Sequence, residues 1–293
     1  MPLLRNIGLT LEMIKWEHSI FALPFALTGA MLAANGWPTL TKLVLIVICM
    51  VTARTAAMAF NRWADADIDA ANPRTAARHI PAGLLSANFV LFFWIDAAAL
   101  FILTASRLNR LTLLCSPLAL AIILLYSYTK RFTRYSHLFL GLALGIAPTA
   151  AWIAVRGSLD PRILVLTLAV LFWTGGFDIL YACQDFEFDR GAGLNSIPQA
   201  FGIAGAFWIA RGMHVLMLLA LVWLGSLFSF GAIAWAGIAI VAALLCYEHL
   251  IISPTDLRRM NAAFFTLNGI ISMIFFIFVA ASLLVRHASG LPQ

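Results

Sequence analysis

The sequence predicts an all-α integral membrane protein with about nine transmembrane helices, and three observations carry that prediction. Of its 293 residues, 62% are hydrophobic and 11% are charged, against about 45–50% and about 25% in soluble domains. Its apolar runs are continuous and about 20 residues long, the length that crosses a hydrocarbon core as a helix. Its Lys and Arg residues are biased to one set of connections. A soluble enzyme of this size cannot cover such a core with 19 basic and 13 acidic side chains. The same figures exclude a disordered chain, collagen, a coiled coil and a disulfide-rich secreted fold.

The elements follow in order. Within Leu3–Lys15, residues Leu4, Ile7, Leu11 and Ile14 recur at helical spacing. This predicts an amphipathic helix lying on the membrane surface, not a signal peptide. Spans follow over roughly residues 18–36, 43–60, 87–106, 111–128, 136–155, 162–183, 204–223, 227–247 and 262–285. The runs do not alternate, which excludes barrel strands. Most connections are short, and the whole chain, 1–293, reads as one domain. Two connections are long and polar, Asn61–Ser86 and Gln184–Ile203. Cys49, Cys115, Cys183 and Cys246 form no CxxC pair and read as small buried hydrophobes.

One side of the predicted membrane carries Arg5, Lys15, Arg62, Arg74, Arg78, Lys130, Arg131, Arg134, Arg190, Arg258 and Arg259. The other carries only Lys42, Arg107, Arg110, Arg156, Arg162 and Arg286. The positive-inside rule then puts the N-terminus and both long loops in the cytoplasm and the C-terminus outside, with the protein in the cytoplasmic (inner) membrane.

The long loops carry the chemistry. In the first, Asn61, Asp65 and Asp69 recur every four residues. On a helix they stack along one face, each about 5–6 Å from the next. Carboxylates that close repel each other, and Mg²⁺, which takes hard oxygen ligands, resolves the repulsion. Pro73 stops the helix, and Arg74 and Arg78 follow. The second loop repeats the idea with Asp178, Tyr181, Asp185 and Asp189 on one helical face, ended by Gly191 and Gly193. The two pairs share one offset, 65 to 185 and 69 to 189, and Ile-Pro follows each. Spans one to four and five to eight are therefore expected to be a parallel repeat, with a ninth added. Two acid rows on one surface suggest a site with two Mg²⁺ ions and a diphosphate clamped by Arg74, Arg78, Lys130 and Arg131.

Other polar residues have plainer readings. Arg134, Arg258 and Arg259 read as solvated loop charges. Asp96, in the third span, is expected to pair within the bundle. His18, His137, His214 and His249 make no ligand spacing and read as packing or interfacial residues. His79 interrupts the basic loop and is a candidate phosphate contact. Gly141 and Gly145 form a GxxxG pair, the signature of a close helix contact.

These residues resemble the UbiA superfamily of intramembrane prenyltransferases across nearly the whole chain. The family motif NxxxDxxxD stands as Asn61, Asp65 and Asp69, DxxxD as Asp185 and Asp189, and YxxxK as Tyr126 and Lys130. The resemblance implies nine helices around a central cavity open to lipid, and Mg²⁺-dependent transfer of a prenyl chain from its diphosphate to an acceptor. By that likeness Asp65, Asp69, Asp185, Asp189 and Lys130 are catalytic, with Asn61 joining the four acids as metal ligand. Arg74, Arg78, Tyr126, Arg131, Asp178 and Tyr181 join Asn61 as substrate-binding residues. The motif contexts look like the quinone branch, which prenylates an aromatic acid: 4-hydroxybenzoate for ubiquinone, or 1,4-dihydroxy-6-naphthoate for menaquinone by the futalosine route. The stretch from Ala57 to Asp65 looks closer to the second. Arg62 stands where 4-hydroxybenzoate enzymes often have Asp, and His79-Ile80-Pro81 replaces the common Arg-Pro-Leu-Pro. The implied partners are a polyprenyl diphosphate, an aromatic acid and the lipid bilayer, with no nucleic acid. Two alternatives are a transporter with functional intramembrane acids and a superfamily enzyme for another acceptor, haem or chlorophyllide. A transporter is expected to keep its acids near the midplane, whereas most acids here lie in loops or at span ends.

Overall fold

The computed structural model describes residues 2–15 and 21–289, and His18 lies outside the described residues. Twelve α-helices make up the described chain: α1 Pro2–Ile14, α2 Leu23–Ala34, α3 Leu40–Ala64, α4 Ala66–Ala71, α5 Ala87–Ser106, α6 Arg110–Thr129, α7 Ser136–Arg156, α8 Leu164–Ala182, α9 Phe186–Ala192, α10 Ile197–Leu227, α11 Ala232–Ile251 and α12 Asn268–Ala288. Eight of the described helices are long and apolar enough to cross a membrane. The predicted first span is α2, whose 12 residues reach only about 18 Å at 1.5 Å per residue. The nine expected spans therefore correspond to eight such helices and one short apolar helix.

Local chemistry sets the ends of these helices. Ser86 Oγ accepts from the Phe89 N–H at 3.2 Å to start α5. Asn109 Oδ1 caps α6 through the Thr112 N–H at 2.9 Å, while its Nδ2 donates to the Ile153 carbonyl at 2.8 Å and ties α6 to α7. Asn72 is extended, as the residue before Pro73 must be, and α4 stops there. Gly193, at φ 67°, ends α9 in the left-handed region. Gly191 lies inside α9 and is not a terminator.

Two backbone crossings hold the bundle. A Cβ on Gly141 would lie 2.4 Å from the Leu171 carbonyl oxygen, and one on Gly145 would lie 2.7 Å from that of Thr167. The GxxxG pair therefore lets α7 lie directly against α8. Gly29 of α2 meets the backbone of Pro148 in α7 in the same way. The largest core cluster centres on Trp173, which is fully buried against Phe25 and Phe177. Its indole N–H donates to Asn268 Oδ1 at 2.7 Å, and Asn268 Nδ2 donates to Glu248 Oε1 at 3.1 Å. Burial thus satisfies the polar atom that an indole brings into a core.

Outward faces carry large apolar residues such as Leu103, Leu114, Leu118 and Trp208. A surface of that kind needs lipid as its solvent. Helix α1 forms where the periodicity predicts it; Ile7 and Leu11 are exposed, while Met13 and Ile14 pack against Ala59, Leu85 and Val90. Asp96 contradicts its expectation. It is exposed halfway along α5 and makes no ion pair among the described residues.

Candidate active site

Helix α3 ends at Ala64, Asp65 sits at a break, and α4 continues to Ala71. Two i→i−4 bonds meet at the break: the Asp65 N–H donates to the Asn61 carbonyl and the Asp69 N–H to the Asp65 carbonyl, at 3.0 and 2.8 Å. The motif residues thus keep their helical spacing while the axis bends. The second motif does the same. Helix α8 ends at Ala182, a 3₁₀ turn spans Cys183–Asp185, and α9 carries Asp189. The single continuous face expected from Asp178 to Asp189 is therefore broken at Asp185.

The two loops meet. Arg74 of the first grips Asp185 of the second with a fork of two hydrogen bonds, Nε donating to Oδ1 at 2.7 Å and Nη2 to Oδ2. Asn72 Nδ2 donates to the same carboxylate at 3.1 Å, and Arg74 Nη1 donates to the Tyr181 hydroxyl at 3.3 Å. Burial opposes the Arg74 charge, but the hydrogen bonds and charge of Asp185 outweigh it and raise the Arg74 pKa. Asp65, almost wholly buried, receives Lys130 Nζ at 2.6 Å, Arg131 Nη2 at 3.2 Å and Asn61 Nδ2 at 3.1 Å. Asp69 receives Arg78 Nη1 at 2.6 Å on Oδ1. Asp189 carries no ion pair to a basic side chain among the described residues; Ser196 donates to it.

Beneath this charged layer a cavity of about 620 Å³ runs down the bundle. Along α6 its wall passes from Tyr126 through Ile123, Ala119 and Ser116 to Thr112, a drop of roughly 21 Å. Alanines and leucines of α7 form the facing wall. At the charged end the lining turns aromatic. Phe264 packs against Tyr181 at 4.2 Å, Phe177 at 5.1 Å and Phe21 at 5.7 Å between ring centroids. Asp178 lies on this wall, fixed by His137 Nδ1 at 2.7 Å. His137 Nε2 accepts from the Ile197 N–H at 3.4 Å, so Nδ1 carries the proton that it donates to Asp178.

Most of the residues singled out in sequence therefore converge on one end of the bundle. His137, expected as a packing or interfacial residue, is buried and also orients an acid; nothing in its spacing reveals the second role, because Asp178 is 41 residues away. Ser127, which Asn61 Nδ2 reaches at 3.3 Å, and Asn72 are further members with no sequence signal. His79 lines the cavity. Arg258 is a solvated charge, paired with Asp256. Arg134 lies over the rings of Tyr135 and Phe201.

Fold and site together define a membrane enzyme for a substrate with a charged head and an apolar tail. The comparisons agree: the chain belongs to the UbiA prenyltransferase family, whose model matches residues 22–285. It is 34% identical over 229 residues to the 4-hydroxybenzoate octaprenyltransferase of Vibrio cholerae serotype O1, covering 77% of this chain and 79% of that protein. It is 30% identical over 251 residues to the 4-hydroxybenzoate octaprenyltransferase of Francisella tularensis subsp. novicida, covering 86% and 88%. A UbiA homolog from Aeropyrum pernix K1 superposes with a TM-score of 0.80 at 32% identity, over 92% of this chain and 98% of that one. A UbiA homolog from Archaeoglobus fulgidus bound to DMAPP and Mg²⁺ shares the fold, with a TM-score of 0.71 at 21% identity over 94% and 99%.

Proposed function

We propose that this prenyltransferase moves a polyprenyl group from its diphosphate to the ring of an aromatic acid in quinone biosynthesis, at the junction of the two acidic loops. The carrying observation is that Arg74 and Lys130 bridge different elements onto Asp185 and Asp65 directly above an apolar cavity. A prenyl diphosphate has the matching shape, a multiply charged head and a lipid tail.

The residues fit Mg²⁺. Among the described residues no three His, Cys, Asp or Glu side chains converge as a ready-made metal centre. Mg²⁺ does not require one, since it is usually held by one or two carboxylates together with substrate phosphates. Asp69 Oδ2 is buried with no hydrogen-bond partner, an open ligand position. The four carboxylates, with Asn61, would hold the metal, two ions in our reading. Bound there, Mg²⁺ supplies charge to the departing diphosphate. Arg74, Arg78, Lys130 and Arg131 then have phosphate oxygens as alternative partners. Tyr126 and Tyr181 hold the reacting end of the chain. As the C–O bond breaks, the Phe21, Phe177 and Phe264 rings and the Asp178 carboxylate face the allylic cation and exclude water from it. The tail lies in the cavity among residues of α3, α6 and α7.

The names of the Vibrio and Francisella relatives favour 4-hydroxybenzoate as acceptor; the Ala57–Asp65 stretch favours 1,4-dihydroxy-6-naphthoate. In this reading the protein sits in the cytoplasmic membrane with both acidic loops in the cytoplasm. Membranes holding the protein, given Mg²⁺, a polyprenyl diphosphate and each acid in turn, decide the acceptor by product mass. We expect the prenylated mass from one of the two acids, and a product from neither overturns the reading.

A further inference from the structure

Behind the aromatic wall of the site lies a buried polar chain with no part in the chemistry described above. Trp173 is one turn from Phe177 on α8. Its ring stands edge-on to Phe177 at 4.9 Å and 81°, and to Phe21 at 6.5 Å and 82°. Phe21 and Phe177 both line the charged end of the cavity. The indole N–H donates to Asn268 Oδ1 of α12 at 2.7 Å, and Asn268 Nδ2 donates to Glu248 Oε1 of α11 at 3.1 Å. All three side chains are buried. Next to Glu248, the His249 Nε2 meets His214 Nδ1 of α10 at 2.9 Å. The His214 ring packs on Gly176, where a Cβ would stand 2.4 Å from it. The backbone of this turn of α8 is thus held from α10, and its indole from α12.

Stability alone gives no reason for polar groups here. Apolar residues of similar volume often hold a buried contact as well or better, and Glu248 Oε2 is buried with no hydrogen-bond partner. What a hydrogen bond adds is direction. The χ2 torsion of Trp and Phe has broad, two-fold wells. An indole N–H tied to one acceptor fixes which edge of the ring its neighbours meet. For a cation that matters, since an aromatic ring attracts it with its face and repels it with its edge.

We propose that Asn268, seated on Glu248, is a positioning residue: through Trp173 it sets the angle of the Phe21 and Phe177 rings that face the allylic cation, and so keeps water from capturing it. The assignment rests on the prenyl transfer proposed above. In transfer and in leakage alike, the diphosphate leaves with the electron pair of the C–O bond. In transfer, a ring carbon of the acid bonds to the cationic carbon and then loses its proton. In leakage, water bonds there instead, loses a proton and gives prenyl alcohol. Loosened rings admit water, so the fault appears in how the cation partitions and not in how substrates bind.

The test uses the full-length protein in lipid nanodiscs with Mg²⁺, a polyprenyl diphosphate and whichever of the two acids the wild type prenylates. Diphosphate, prenylated acid and prenyl alcohol are measured together. For wild type we expect prenylated acid to match diphosphate. For N268L we expect at least about a tenth of the diphosphate to be matched by prenyl alcohol instead, with both KM values within about twofold of wild type, because Asn268 touches neither substrate. E248Q keeps an oxygen that accepts from Asn268 Nδ2 and is expected to partition as wild type does. If N268L does not accumulate, W173F decides: it removes the indole N–H from Asn268 and is expected to leak in the same way. Slower turnover without prenyl alcohol makes Asn268 a packing residue only and overturns the assignment. So does a leak in E248Q as large as in N268L, or a raised prenyl diphosphate KM in place of a leak. Wild-type protein that prenylates neither acid overturns the functional reading and this assignment together. Active wild type with a leak-free N268L or W173F overturns the assignment alone.

Discussion

Asp65 and Asp185 share one backbone conformation, φ −99° and ψ 8° at the first, φ −100° and ψ 6° at the second. Each sits between a membrane-length helix and a short helix that carries the second acid of its pair. The shared break supports the parallel repeat suggested by the motif spacing. It also makes the two acids equivalent in geometry, which leads to the first prediction.

Asp65→Ala and Asp185→Ala are each expected to lower turnover by at least about 100-fold, about 2.7 kcal/mol of barrier, while the protein still inserts and accumulates. Each removes a carboxylate where metal charge is worth several kcal/mol. Turnover per inserted molecule, measured at saturating Mg²⁺, checks this. A near wild-type value for either variant removes that acid from the metal site.

Lys130→Ala is expected to lower kcat at least about tenfold, about 1.4 kcal/mol. Negative charge builds on the departing oxygen, and a point charge aimed at it acts mainly in the transition state. The plainer role is interfacial anchoring of the end of α6 with Tyr126, since Tyr and Lys both favour that depth. Anchoring alone predicts a loss of yield with normal turnover per folded molecule, and single-turnover rates separate the two.

Gly141→Ala is expected to destabilise the α7–α8 crossing by about 1–3 kcal/mol, as overpacking does. The new Cβ would stand 2.4 Å from a backbone oxygen that cannot rotate away. Gly212→Ala is the control: it lies within α10 with open space around its Cβ position. A thermal melt in detergent should show a drop for the first variant and none for the second. Equal melts would mean that the crossing is looser than described.

A cysteine placed in the stretch 70–77 is expected to react with an impermeant maleimide only from the cytoplasmic side, and one placed after Leu284 only from outside. The asymmetric placement of Lys and Arg motivates this. Labelling of both from one face would give an even number of crossings between the two positions, and one of the long helices from α5 to α12 would then not cross, which breaks the nine-span count.

The spans and both acid pairs were legible in the sequence because each rests on local periodicity. Hydropathy over 20 residues needs no tertiary knowledge, and an acid every four residues marks a helical face. What escaped was set by contacts far apart in the chain. Arg74 reaches Asp185 across 111 residues, and His137 reaches Asp178 across 41. Spacing cannot reveal such pairs. Nor could it reveal that Asp96 faces outward, because α5 is apolar on every side and its inward face is chosen by its neighbours. The break at Asp65 was hidden because the four-residue spacing of Asn61, Asp65 and Asp69 continues across it.

The central claim is that the two acid rows act through Mg²⁺ on a prenyl diphosphate. The most direct test measures diphosphate release and prenylated acid together, in purified protein stripped by a chelator and then titrated with Mg²⁺. The account predicts that both products vanish on stripping, return in equal amounts as Mg²⁺ is restored, and stay absent in Asp185→Ala. Full product formation in excess chelator, or restoration in Asp185→Ala, would contradict it.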